Sequence, residues 1–162
     1  MKIIHAPNII GYHGYYEEFK IFLGGSIEMG KAEDWQSKVA KELESCDVTL
    51  LNPRRPNWDS SWKQDPDFEP FRKQVLWEQY AIGASDCVIM NFCAGTMSPI
   101  SLLELGILIG ESPEKLLVCC PKEFHRYGNV KITCEYFGVD VYETIEELLT
   151  KLKSNLLTHT RQ

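Results

Sequence analysis

The chain has 162 residues, of which 44% are hydrophobic and 25% charged, enough for one domain with a core of its own. Its net charge of -6 excludes the basic character of a dedicated nucleic-acid binder. No apolar run reaches the length of a membrane span, and the start, Met1-Lys-Ile-Ile-His-Ala-Pro7, lacks the apolar stretch of a signal peptide, so a cytosolic location is expected. The six cysteines (Cys46, Cys87, Cys93, Cys119, Cys120, Cys134) form no C-x-x-C pair and lie mostly in or beside apolar runs, as free core thiols do. The four histidines are scattered without metal spacing, so no metal is expected.

Taken in order, residues 1–18 form a mixed N-terminal arm with Tyr12, Tyr15 and Tyr16 among Gly and His; Lys2-Ile-Ile-His5 in it allows a short edge strand. Lys20-Ile-Phe-Leu-Gly24 is the first clear strand. It runs into Gly24-Gly-Ser-Ile-Glu-Met-Gly30, where glycines let main-chain N–H groups approach a ligand or simply make a tight turn. This is neither G-x-G-x-x-G nor a Walker A loop. Residues 34–45 read as an amphipathic helix with Trp35, Val39 and Leu43 on one face. Val48-Thr-Leu-Leu51 is the second strand. The loop from Asn52-Pro-Arg-Arg-Pro56 to Phe68 is too long for a plain connector; Arg54 and Arg55 are either an anion site or solvated charges.

A second helix spans 69–84 and contains Trp77 and Glu78, and Cys87-Val-Ile-Met-Asn-Phe92 is the third strand. Ser98-Pro99 then opens a helix, Ser98 as N-cap and Pro99 at the first helical position. That helix carries Leu102, Leu103, Leu105, Ile107, Leu108 and Ile109, apolar almost all round, which predicts burial on every side. Leu116-Leu-Val-Cys-Cys120 is the fourth strand, residues 129–137 a short helix, and Val139-Asp-Val-Tyr142 the fifth strand. Thr144-Ile-Glu-Glu147 fits a capping box for the last helix, with Leu148, Leu149 and Leu152 on its apolar face and a polar tail over 158–162.

Strands alternating with helices predict a single α/β domain over 19–157, Rossmann-like or flavodoxin-like, with a five-stranded parallel sheet flanked by helices. Ligands in such sheets bind at the carboxyl ends of the strands. That edge collects the Gly24 loop, the Asn52 loop and the segment before Ser98. Glu104 stands in the helix that starts there. A lone carboxylate among Leu and Ile is costly unless paired or used; a helix-edge Glu reaching solvent or an Arg is the alternative.

Five ordered pieces, Phe22-Leu-Gly-Gly-Ser-Ile27, Leu51-Asn-Pro-Arg-Arg55, Gln74-Val-Leu-Trp-Glu78, Ser98-Pro-Ile-Ser-Leu-Leu-Glu-Leu-Gly106 and Gly128-Asn-Val130, resemble the nucleoside 2-deoxyribosyltransferase family, in its branch with the Asn-Pro-Arg-Arg loop. The resemblance implies an enzyme that exchanges the base of a 2′-deoxynucleoside donor for a free nucleobase acceptor, with no metal or organic cofactor. It makes Glu104 the nucleophile that attacks C1′, forming a covalent 2-deoxyribosyl-enzyme, with retention of configuration. It places Gly24, Gly25, Ser26 and Ile27 beside the base and sugar, and Glu78 as a helix carboxylate holding sugar or base. Asn52, Arg54, Arg55 and Asp59 belong to the branch-specific loop, with Asp59 the candidate for a base contact. Ser98 and Ser101 lie in the nucleophile's motif. Asn129 would reach a neighbouring subunit's site, which implies a homo-oligomer. Ser98 stands where better-known members carry an acidic residue that hydrogen-bonds the base, so either Asp59 or Glu78 supplies the acid or base recognition differs, and the chain ends in Thr160-Arg-Gln162 rather than in their terminal tyrosine.

Two other functions fit parts of the pattern. A 2′-deoxynucleoside 5′-monophosphate N-glycosidase shares the Gly-Ser-Ile turn and the Glu-Leu-Gly helix, but such hydrolases follow the turn with an arginine where this chain has Glu28, which repels phosphate unless Arg54 and Arg55 compensate. A non-catalytic nucleotide-sensing module would use the crevice and leave Glu104 without a chemical role.

Overall fold

The computed structural model describes residues 1–10, 18–28, 32–55, 59 and 61–159; Tyr12, Tyr15 and Tyr16 lie outside them. The elements run β1 (Lys2–His5), β2 (Phe19–Gly25), α1 (Trp35–Glu42), β3 (Val48–Asn52), α2 (Glu69–Gly83), β4 (Cys87–Asn91), α3 (Pro99–Glu111), β5 (Leu116–Cys119), α4 (Tyr127–Tyr136), β6 (Val141–Tyr142) and α5 (Ile145–His159). All strand pairs are parallel, in the order β1-β3-β2-β4-β5-β6.

The sheet has six strands, not five. The extra one is β1, which pairs with β3 from Lys2 opposite Thr49 to His5 opposite Asn52. Four residues with two exposed side chains leave little periodicity to read. Three of residues 2–10 belong to the core, since Ile4, Ala6 and Ile10 are buried, and Trp77 donates its indole N–H to the Asn8 carbonyl at 2.7 Å. The other five strands follow flavodoxin-like order, and its switch point falls between β2 and β4.

Period-two alternation sorts the strands' side chains onto two faces. Phe22, Val88, Met90 and Val118 pack against Trp77 and Ala81 of α2, Leu105, Leu108 and Ile109 of α3, and Val130 and Cys134 of α4. Ile21, Leu23, Leu50 and Ile89 pack against Trp35, Val39 and Leu43 beside α1, and Leu148, Leu149 and Leu152 of α5. Helices α1 and α2 on opposite faces are what right-handed crossovers on either side of β2 require. Four cysteines are buried and all six are free.

The capping box forms: the Glu147 N–H donates to Thr144 Oγ1 and the Thr144 N–H to Glu147 Oε2, both at 3.3 Å. Helix α5 continues to His159, two residues past the expected end. Helix α3 differs from expectation on two counts. Its outer side is not buried: Ile100, Leu103 and Ile107, spaced three and four apart, are exposed. Its first residues are also capped differently, because Ser98 has φ +45° and no side-chain cap. No helix among the described residues is long and apolar enough to cross a membrane.

Candidate functional site

The switch-point crevice is built by two loops that meet over the carboxyl ends of β2 and β4. Gly25 lies at φ +133°, and a Cβ there would stand 2.1 Å from the Asn91 carbonyl oxygen, so no other residue fits. Its neighbour Ser26 is fully buried. Ser26 Oγ accepts from the Cys93 N–H at 2.9 Å and lies 2.8 Å from Thr96 Oγ1 and 2.7 Å from Ser98 Oγ. Thr96 gives its own hydrogen to the Cys93 carbonyl at 2.8 Å. The set closes when Ser26 donates to Thr96 and Ser98 donates to Ser26, leaving no buried hydroxyl without a partner. Ser101 then ties α3 to β2 by donating to the Gly25 carbonyl at 2.8 Å.

The side chain that caps α3 is Glu28. Its Oε1 accepts from the Met97 N–H at 2.8 Å and the Ser98 N–H at 2.7 Å, which suits the positive end of a helix. Glu28 and Ser98, the two residues so joined, are also the non-glycine residues with positive φ among the described residues, +48° and +45°. A cap supplied from 70 residues away has no local sequence signature, and the Ser-Pro dipeptide points to the wrong residue.

Glu104 lies three residues past Ser101 on the inward side of α3, 6% exposed, with Leu105 and Leu108. Burial raises its carboxyl to about 8, and the charge of Glu78 adds to the rise. Glu78, on α2, is raised to about 7 by burial, against a hydrogen bond from Gln74 that lowers it. The Gln74 amide NH2 donates to Glu78 Oε1 at 2.8 Å and to the Pro53 carbonyl at 3.0 Å. The structure thus brings together Glu104, Glu78 and the start of the Asn-Pro-Arg-Arg loop. Gln74 opens the piece Gln74-Val-Leu-Trp-Glu78, but sequence reasoning gave it no role; the signal for one was its place four residues before Glu78, on the same helical face.

The loop residues separate. Asn52 is buried and its Oδ1 accepts from the Arg54 N–H at 2.9 Å. Arg54 is committed to structure, donating to the carbonyls of Ala32 and Glu33 at 3.0 Å each. Arg55 stacks over the Trp62 ring, 4.8 Å from its centroid. Its Nε is buried without a partner, beside a small cavity of about 190 Å³ that Lys73 also lines. Asp59 is exposed, and its carboxylate is held by the Ser61 N–H and hydroxyl, which lower its pKa; it does not join the carboxyl pair. Asn129 is exposed on α4.

A wider cavity of about 510 Å³ opens at the ends of β4 and β5 towards α5, lined among others by Glu28, Glu33, Cys93, Thr96, Glu143 and Ile145. Its three carboxylates disfavour an anionic occupant. Glu104 does not line it. Among the described residues no group of three or more His, Cys, Asp or Glu side chains converges as a metal site.

A crystal structure of a conserved protein from Enterococcus faecalis V583 superposes with a TM-score of 0.63 over 86% of this chain and 99% of that one, at 14% identity. At that identity the likeness speaks for the fold alone. No curated protein matches the chain. The profile of the family described as nucleoside 2-deoxyribosyltransferase-like matches residues 18–124, a span that holds the Gly-Ser-Ile loop, Glu78 and Glu104. The chain belongs to the nucleoside 2-deoxyribosyltransferase-like family.

Proposed function

We propose that the protein exchanges the base of a 2′-deoxynucleoside for a free nucleobase, with Glu104 as nucleophile and retention at C1′. The observation that carries this reading is the pair of carboxyls, Glu104 buried and Glu78 half-buried, both held well above the ordinary carboxylate range at the switch-point edge of a domain of this family. Two interacting acids of this kind hold one proton between them near neutral pH.

In the first half-reaction a Glu104 oxygen bonds to C1′ as the bond from C1′ to the base nitrogen breaks, and Glu78 gives its proton to the departing base. In the second, the incoming base bonds to C1′, the ester to Glu104 breaks, and the base's N–H proton goes to Glu78. Two inversions give retention, as in the retaining glycosidases. Burial favours a protonated Glu104; positive charge developing at C1′ favours its anion, and the remaining proton then belongs to Glu78. Gly24, Gly25, Ile27, Ser101 and Asn52 shape the wall beside the sugar and base. Asn129, exposed on α4, contributes to a neighbouring subunit's site in a homo-oligomer, and the exposed Ile100, Leu103 and Ile107 supply apolar surface for such an assembly.

Two features favour a free nucleoside over a 5′-monophosphate: Glu28 puts negative charge next to the Gly-Ser-Ile loop, and Arg54 is committed to main-chain carbonyls. The test is incubation of the purified protein with thymidine or deoxyinosine plus adenine, followed by chromatography. A base-exchanged deoxynucleoside is the expected product. Free base released from 5′-monophosphates without exchange would make the protein a hydrolase, and nucleotide binding without turnover would make it a sensor.

A further inference from the structure

Gln74 is only 4% exposed, yet its amide is half used. One NH2 group serves two acceptors, the Pro53 carbonyl at 3.0 Å and Glu78 Oε1 at 2.8 Å. The amide's own oxygen is buried without a partner among the described residues. The opposite flip would set two carbonyl oxygens against each other at Pro53, so the main chain fixes which end of the amide faces Glu78. A methionine would fill the same space and remove the bare amide oxygen, but it would strip both the Pro53 carbonyl and Glu78 of their donor. Packing alone therefore does not account for a glutamine here.

We infer that Gln74 is a positioning residue that fits Glu78 to give a proton to the departing base and to take one back from the incoming base. The inference rests on the transferase reading above. A group with this double duty must change charge twice in each cycle. An arginine or lysine beside Glu78 would hold it as the anion and spoil it as an acid; no donor at all would leave a buried carboxyl protonated and spoil it as a base. A neutral N–H lies between these extremes and supports the anion without locking it. Because the same NH2 also grips Pro53, Glu78 is oriented by the first turn of the Asn-Pro-Arg-Arg loop. The protons balance over the cycle: one leaves Glu78 with the first base nitrogen as its bond to C1′ breaks, and one returns from the second base nitrogen as its bond to C1′ forms.

The experiment uses Gln74→Met in the full chain, with Gln74→Glu as a second variant that keeps the shape and loses the NH2. The first readout is an NMR titration of the Glu78 carboxyl in selectively labelled protein, assigned with Glu78→Gln, which needs no turnover. The second is rapid-quench kinetics that separate release of the first base from transfer to the acceptor. In Gln74→Met the Glu78 midpoint should rise by about one pH unit. Release should survive, while transfer slows about tenfold or more at neutral pH and recovers as the pH is raised. An unchanged Glu78 midpoint, or both half-reactions slowed alike at every pH, would overturn the inference. If the unaltered protein shows no base exchange, the transferase reading fails on that result, and the titration still decides what Gln74 does to Glu78.

Discussion

The hydroxyls of Ser26, Thr96 and Ser98 and the carboxyl of Glu104 are buried, with the Glu78 carboxyl half-buried, at the same edge of the sheet, and their surroundings differ in kind. Each hydroxyl finds a partner within 3 Å, and the ring of bonds welds the β2 loop to the start of α3. The carboxyl group of residues is short of partners: two acids have neither salt bridge nor cation among the described residues, and the amide beside them leaves its oxygen bare. A polar cluster that only holds a fold is expected to be fully satisfied. One left poor in partners costs stability and is the expected form of a site awaiting a substrate. The two serines in the first cluster therefore read as scaffold, beside the carboxyl proposed as the nucleophile.

The comparison can be broken most severely at Glu104. Replacing it with Ala should lower kcat by about 10⁴-fold or more, as loss of a nucleophile does, with the fold intact by circular dichroism; residual exchange near the parent rate would return Glu104 to the core. The same carboxyl predicts a stability effect of opposite sign. Its pKa is raised to about 8 in the folded protein, against about 4 in the unfolded chain. Below about pH 4 both states are protonated and no penalty exists. As the pH rises towards 8 the folded state must keep a proton that the unfolded state releases, so stability falls, and it levels off above that range. Glu104→Gln should thus be more stable than the parent by about 2–4 kcal/mol at pH 9 and not at pH 4, as urea unfolding at the two pH values will show.

In the satisfied cluster the signs change. Ser26→Ala removes one partner from three buried groups and should destabilise by about 2 kcal/mol, equally at pH 5 and pH 9. A pH-dependent loss would mean that Ser26 belongs with the acids. Turnover itself should follow a bell. The rate rises as the pair gives up its first proton near 7 and falls as it gives up the second near 8, because the one-proton form alone has both a nucleophile and an acid. A profile flat from pH 6 to 9 would remove Glu78 as the acid. The smallest effect on folding is expected at the exposed Leu103. Leu103→Lys should leave unfolding within about 0.5 kcal/mol of the parent while lowering the oligomeric state in analytical ultracentrifugation.

Most of this contrast was hidden from the sequence, although its two ends were visible. The alternation of strands and helices was legible, because Ile21, Leu23, Val88 and Met90 lie in short apolar runs bounded by turn residues. Glu104 was legible because an acid in an apolar helix is a local anomaly. The short β1 was ambiguous at four residues. The cap of α3 misled, since Ser98-Pro99 is a local signal and Glu28, 70 residues away, wins by long-range contact. Arg54 and Arg55 are alike as letters; the structure separates them, one bound to main-chain carbonyls and the other stacked on Trp62. Gln74 showed no anomaly, since its partner Pro53 comes from another segment. The exposed outer side of α3 could not be told from a buried one, because Ile100, Leu103 and Ile107 suit a core and a subunit contact equally.

The most direct test of the central claim is peptide mass mapping after the protein has been mixed with a 2′-deoxynucleoside, without acceptor base, and quenched in acid. A 2-deoxyribosyl adduct on the peptide that contains Glu104, discharged by added adenine and missing from Glu104→Ala, is the predicted result. Base exchange that proceeds with the adduct on another residue, or that continues unimpaired in Glu104→Ala, would contradict it.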